Sequence, residues 1–177
     1  MASSTRTHRR IAGIVLAGGR SSRMGANKAL LQYRGRPLIE HMKDILHRSG
    51  CVDVHISGSV PGYEGIADLA PHEGPARAIA DMLRRFKGQY DALVIVPVDM
   101  PLITPAILNK LLAVEGNACY SAHPLPAVIA TDSVPPVCQA VFELLEGVHT
   151  MAVDLPKEME TAFANINTKE EWEALVS

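Results

Sequence analysis

Cysteine is scarce. Cys51, Cys119 and Cys138 are the only three, widely spaced and odd in number. That excludes a disulfide framework and a cysteine-rich zinc site, and it fits a reducing cytoplasm. Long apolar runs are lacking as well: none approaches the ~20 residues a membrane span needs. Met1 to Arg10 is polar and basic and lacks the apolar stretch of a signal peptide. It reads as a flexible N-terminal lead-in, residues 1–10. The formal net charge is only −2, so no bulk attraction to nucleic acid or to a membrane is implied. The chain carries no internal repeat, no low-complexity tract and no linker. Its histidines, His8, His41, His47, His55, His72, His123 and His149, show no metal-ligand spacing within a helix. Nor is there a Ser/His/Asp or other His-based constellation.

What is present is one α/β domain's worth of chain, 177 residues, long enough for a full core and short for two. Residues 11–177 are expected to form that single domain. It opens with a short apolar run, Ile11 to Leu16, which reads as a buried strand. The run breaks at Gly18-Gly19 into a loop that holds Arg20, Arg23 and Lys28 and no acid. Gly18, Gly19 and Gly25 permit backbone angles that other residues avoid, so amide N–H groups can be turned toward one point. A Gly-rich turn leaving a strand and lined with cations suits a polyphosphate; the plain alternative is a surface turn with solvated charges. The loop is neither a Walker loop, because Ala26-Asn27 separates Gly25 from Lys28, nor a Gly-x-Gly-x-x-Gly dinucleotide turn.

The rest of the chain alternates. Pro37 suits the start of a helix whose stripe is Leu38, Ile39, Met42, Ile45 and Leu46, with Gly50 as its C-terminal cap. Val52 to Ile56 reads as the second strand, ending at Ser57-Gly58. Gly65 to Leu69 is expected as a short third strand that delivers Asp68. Gly74-Pro75 opens a second helix with Ala76, Ile79, Ala80, Leu83 and Phe86 inward. Ala92 to Val98 is a continuous, β-branched run that fits a central parallel strand ending at Asp99. Thr104-Pro105 then starts a third helix. Further on, Ala118 to Tyr120 and Ala127 to Ala130 read as strands joined by His123 to Pro126. Pro135 to Leu145 reads as a helix, Ala162 to Ile166 as a late strand, and Lys169 to Val176 as a final helix with a Thr168-x-x-Glu171 capping box. This alternation predicts a three-layer α/β/α fold, a doubly wound, mostly parallel, Rossmann-like sheet with right-handed crossovers. Ligands gather at the carboxyl ends of such strands. The Gly-rich loop, Ser57-Gly58, Asp68 and Asp99 all fall there.

Asp99 is the leading candidate. A carboxylate directly after an apolar strand is costly to bury without a cation, a metal or donors, and Mg2+ sites commonly use one or two carboxylates plus substrate phosphates. A capping role on the Pro101 turn is the plain alternative.

Leu16-Ala17-Gly18-Gly19-x-Ser21-x-Arg23-Met24-Gly25-x-x-Lys28 resembles the signature of nucleotidyltransferases that move a nucleoside monophosphate onto a phosphorylated acceptor. Within that superfamily the pattern is most similar to the molybdenum cofactor guanylyltransferases. The similarity extends to Ser57, Asp68, Gly74-Pro75, Pro97-Val98-Asp99-Met100-Pro101, Pro124 to Ala127 and Asn165-Ile166-Asn167-Thr168. It implies GTP as donor, a molybdopterin-type phosphorylated acceptor, and Mg2+ on Asp99, with Asn167 completing the metal or substrate site. It implies that Lys28 neutralises the phosphates, that Arg23 contacts the departing pyrophosphate, and that Arg20 matters less. Leu16, Ala17, Gly18, Gly19, Lys28, Ser57, Asp68 and Asp99 are the implied nucleotide-binding set, and transient contact with cofactor-synthesis or cofactor-accepting proteins is implied too. Departures exist. Ser57 stands where an Asn is expected, and the segments before Pro124 and after Gly147 are short. Val148-His149-Thr150 replaces expected arginines. A CTP-dependent or other-acceptor enzyme of the same fold stays open, as does a non-catalytic nucleotide- or pterin-binding delivery protein.

Overall fold

A computed structural model of the chain describes residues 9–18, 27–67 and 73–177. Its centre is a six-stranded sheet. The strands are β1 (Ile11–Leu16), β4 (Asp53–Ser57), β5 (Ala92–Pro97), β6 (Ala118–Tyr120), β7 (His123–Ala130) and β8 (Met151–Val153), in the order β4-β1-β5-β7-β6-β8. A separate two-stranded hairpin, β2 (Gln32–Tyr33) and β3 (Arg36–Pro37), turns through Arg34 and Gly35, both at positive φ. β1 pairs in parallel with β4 and β5, while β7 runs antiparallel to both its neighbours. β6 and β8 are again parallel.

Alternation of side chains along the buried strands sends each residue to one of two apolar layers. Val15, Val94 and Val96 pack on one face with helices α1 (Leu38–Arg48) and α3 (Pro105–Leu112), and with Trp172 of α5 (Lys169–Val176). Ala12, Ile14, Leu93 and Ile95 face α2 (Pro75–Phe86) and α4 (Val141–Gly147). This is the three-layer arrangement the sequence predicts. Gly13 lets α1 lie close to the sheet: a Cβ there would stand 2.9 Å from a methyl of Leu46.

Several elements differ from expectation, each for a local reason. The helix expected from Pro135 begins only at Val141; the second of two successive prolines forces its predecessor out of the helical region. His123 to Pro126, expected as a connector, belongs to β7. The β5 partners run only from Ala92↔Ala130 to Ile95↔Ala127. Pro124 and Pro126 therefore lie past the end of that ladder, where a missing N–H removes no bond to it. Ala162 to Ile166 is not a strand: Lys157–Phe163 forms a 3-10 helix, and Ile166 gives its N–H to the carbonyl of Asp99 at 2.8 Å. Met151–Val153, too short to stand out by pattern, completes the sheet edge against Ala118–Tyr120. The strand expected over Gly65 to Leu69 reduces, among the described residues, to one bridge between Ser57 and Ile66. Pro37 caps α1 one residue outside it, and Lys28–Leu30 is a 3-10 turn.

Candidate active site

The registers decide where the polar residues meet. Leu16 pairs with Ser57 on one side and with Pro97 on the other. The three adjacent strands β4, β1 and β5 therefore end level, and the ladder continues for one more step on each side. Ala17 donates its N–H to Ser57 O at 2.9 Å, and Val98 donates to Leu16 O at 3.0 Å. The loops leaving β1, β4 and β5 start from one line. Gly58, at φ +107°, lies so close to the β1 loop that a Cβ there would be 2.6 Å from the Gly18 nitrogen. A Cβ on Gly65 would sit 2.2 Å from Gly58 O. Absent side chains thus let the loop after β1 and two stretches of the loop after β4 pack against one another. Ser57 is buried beneath this layer at 1% exposure.

Asp99 stands between two core residues, Val98 and Met100. Their burial turns the intervening carboxylate outward. Lys28 is delivered from the other side by the 3-10 turn it opens. Asn27 caps that turn, its Oδ1 accepting the Ala29 N–H at 3.0 Å, and Ala29 is fully buried. Asn167 arrives from the C-terminal segment. Ile166 is buried just before it, and the capping box of α5 lies just after.

These three side chains converge. Lys28 Nζ lies 3.4 Å from Asp99 Oδ2 and donates to Asn167 Oδ1 at 2.9 Å. The side chains of Lys28 and Asp99 keep 17% and 25% of their exposure, so both are shielded yet reachable. Two hard oxygens therefore face one cation. The donor chemistry fits a small divalent ion, because Mg2+ takes one or two protein oxygens and completes its shell with water and substrate phosphates. Among the described residues no cluster of three or more His, Cys, Asp or Glu side chains offers a metal cage. The oxygens of Asp99 and Asn167 are the ones that could hold such an ion.

Sequence reading finds the three converging residues but misses what holds them. Glu171 accepts the backbone N–H of Asn167 at 2.6 Å and of Thr168 at 2.9 Å, while Thr168 Oγ1 accepts the Glu171 N–H at 3.2 Å. These bonds hold the Glu171 carboxyl below its ordinary range, the one from Asn167 most. The capping-box spacing signals the Thr168 half of this arrangement; nothing local signals the bond to Asn167. His41, which the sequence shows only as one of the scattered histidines, is buried and bonded to the turn after Asp99. Burial raises the thiols of Cys51, to about 12, and of Cys119, in keeping with core roles. Gly19, Arg20, Arg23, Asp68 and His72 lie outside the described residues. A separate cleft of about 730 Å³ runs between α2 and the segment 136–139, beside Arg77 and Arg84. Both arginines pair with the buried Asp81, and none of the three converging residues lines this cleft.

Comparison with known proteins agrees with this geometry. Residues 13–143 match the MobA-like NTP transferase domain family. A relative from Xanthomonas euvesicatoria pv. vesicatoria (strain 85-10), named molybdenum cofactor guanylyltransferase, is 39% identical over 93% of each chain. Among solved structures, a nucleotidyl transferase from Methanothermobacter thermautotroptrophicus superposes with a TM-score of 0.73 at 18% identity, covering 94% of this chain and 96% of that one. The molybdopterin-guanine dinucleotide biosynthesis protein A of Archaeoglobus fulgidus gives 0.70 at 20% identity, covering 93% and 96%. The match over residues 13–143, together with a relative 39% identical over nearly the whole chain, shows that this chain belongs to the MobA-like NTP transferase family.

Proposed function

We propose that the protein transfers GMP from GTP to the terminal phosphate of molybdopterin or molybdenum cofactor, releasing pyrophosphate and forming the guanine dinucleotide form. The observation that carries this reading is the convergence of Lys28, Asp99 and Asn167 just past the end of β5. The choice of GTP and of the pterin acceptor rests on the named relative at 39% identity.

An acceptor phosphate is anionic at neutral pH, so its oxygen attacks the α-phosphorus without a strong general base. The chain's task is placement and charge neutralisation. Lys28 leaves its two oxygen partners to donate to the phosphoryl oxygens, on which charge accumulates. Arg23 draws off the pyrophosphate. The segment Leu16 to Gly19 borders the phosphates, with the Ala17 N–H kept by Ser57 O. Ser57, itself buried, shapes the floor beneath the nucleotide, and Asp68 contacts the nucleoside. Asp99, with Asn167, would hold Mg2+. The chemistry that ion supplies is neutralisation of the phosphates and polarisation of the reacting phosphoryl group. The protein works in the cytoplasm, where GTP and the reduced pterin are available.

The test is thermal stabilisation by GTP, CTP, ATP and UTP, each with and without Mg2+, because a ligand that binds only the native state raises its stability by mass action. A Mg2+-dependent shift with GTP alone is the expected result, followed by formation of the guanine dinucleotide from GTP and the pterin phosphate. A shift with CTP alone would change the product. No shift with any nucleotide would overturn the enzyme reading.

A further inference from the structure

Helix α1 buries Leu38, Ile39, Met42, Ile45 and Leu46, and among them one polar side chain, His41. A polar group on an apolar helix face is costly unless it is bonded. His41 is bonded to the turn that carries Asp99. Its Nε2 lies 2.8 Å from the carbonyl oxygen of Pro101, 60 residues along the chain. A carbonyl only accepts, so Nε2 carries the proton and Nδ1 is left as acceptor, facing the Arg36 guanidinium at 3.5 Å. Asp44 holds that guanidinium at 3.2 Å. The edge of Tyr33 meets the imidazole ring at 4.7 Å and 68°. The ring is thus fixed in place and in tautomer.

The turn after β5 has three successive carbonyls, and each has a partner. Asp99 O accepts from the Ile166 N–H at 2.8 Å, and Met100 O accepts from the Ile103 N–H at 3.2 Å. Pro101 O accepts from His41. The first two donors are backbone groups. The third is a side chain, so it is the bond a substitution can remove. We propose that His41 is a positioning residue: it anchors the Asp99 turn to α1 and so holds the Asp99 carboxylate at the angle that meets Lys28 and Asn167. A leucine at this place would fill the core equally well. The imidazole supplies direction, which an apolar side chain cannot. This inference rests on the reading of Asp99 as a ligand of the metal that accompanies the nucleotide.

The experiment measures Mn2+ affinity by electron paramagnetic resonance, with GTP present, on the wild type and two variants, at a temperature where circular dichroism shows each folded. His41→Phe keeps a ring against Tyr33 and removes the donor; His41→Gln keeps an N–H near the Nε2 position. Mn2+ affinity is expected to fall about three- to ten-fold in His41→Phe, the size of one net hydrogen bond. His41→Gln is expected to recover most of it. If His41→Phe does not fold, His41→Asn, whose amide stops a bond short of Pro101, takes its place. Wild-type Mn2+ affinity in the donor-free variant, with only a lower melting temperature, would overturn the proposal and make His41 a packing residue. Equal losses in the Phe and Gln variants would overturn it too. Absence of Mn2+ binding by the wild type would instead remove the metal from Asp99, and this inference with it.

Discussion

The two ends of the sheet carry polar groups in opposite ways. At the amino end of the central strands the groups form closed chains. The Tyr90 hydroxyl donates to Asp53 Oδ2 at 2.8 Å and lies 3.2 Å from His55 Nε2. His55 stacks on Phe86 with centroids 4.5 Å apart. Arg10 and Asp91 exchange two bonds, at 2.6 Å and 2.8 Å, and Thr131 bonds both Tyr90 O and Asp91 O. These partners lie on or beside the starts of β1, β4 and β5 and the end of antiparallel β7, so the bonds tie neighbouring strands together. At the carboxyl end, among the described residues, the side chains of Asp99 and Asn167 both meet the ammonium of one lysine, Lys28. An ammonium donates in three directions and gives up one partner for another at small cost, whereas a closed chain loses a bond when any member moves. One end is built to stay as it is and the other to exchange partners.

Breaking the carboxyl end first gives the largest expected effect. Asp99→Ala should abolish nucleotidyl transfer while changing stability by no more than about 1 kcal/mol, since partly exposed ion pairs contribute little. A product assay together with urea unfolding checks both halves; unchanged turnover would take the metal away from this residue. Lys28→Ala should lower transfer by a factor of about a hundred or more, as loss of one donor to a developing oxyanion does. A normal rate would make Lys28 a surface residue. The amino end should respond in the other currency. Tyr90→Phe removes the donor to Asp53 and should cost about 1 kcal/mol of stability with transfer unchanged. A loss of transfer there would blur the division between the two ends.

Acidification gives the gentlest effect and touches both ends. Burial lowers the pKa of His41 and, at the amino end, of His55. The unfolded chain then binds more protons than the native one between each lowered value and the ordinary value near 6.5. Stability from both groups is fully present above pH ~6.5 and declines as pH falls through that window. Urea midpoints measured from pH 7.5 to 5.5 should fall, and His55→Phe should flatten part of the decline. A midpoint that rises on acidification would contradict the buried, neutral state of both rings.

Much of this was legible in one dimension. The strands Ile11–Leu16 and Ala92–Pro97 announce themselves because residues buried on both faces must be apolar throughout. The helices α1 and α2 are marked by their stripes and α5 by its capping box, since those signals act within a turn or two of helix. The Gly-rich loop, Lys28 and Asp99 stand out because their chemistry is unusual where it occurs. What failed was whatever needs a distant partner to exist. Ala162 to Ile166 has the pattern of a strand, but a strand requires a free ladder, and this segment contributes one N–H to Asp99 instead. Met151–Val153 has almost no pattern and is a strand only because Ala118–Tyr120 offers an edge.

The same division holds for the site. Sequence alone determined the family, the layered α/β architecture and the candidate side chains, because periodicity, glycine spacing and residue chemistry are properties of neighbours along the chain. The tertiary structure alone decided that Lys28 meets Asp99 across 71 residues and Asn167 across 139. It also decided that Glu171 holds the Asn167 backbone, and that His41, on an apolar stripe, reaches the turn behind Asp99. Those contacts follow from level strand ends and from helices packed at a fixed distance on the sheet. Register and layer packing are set by the whole core at once, so no single segment encodes them.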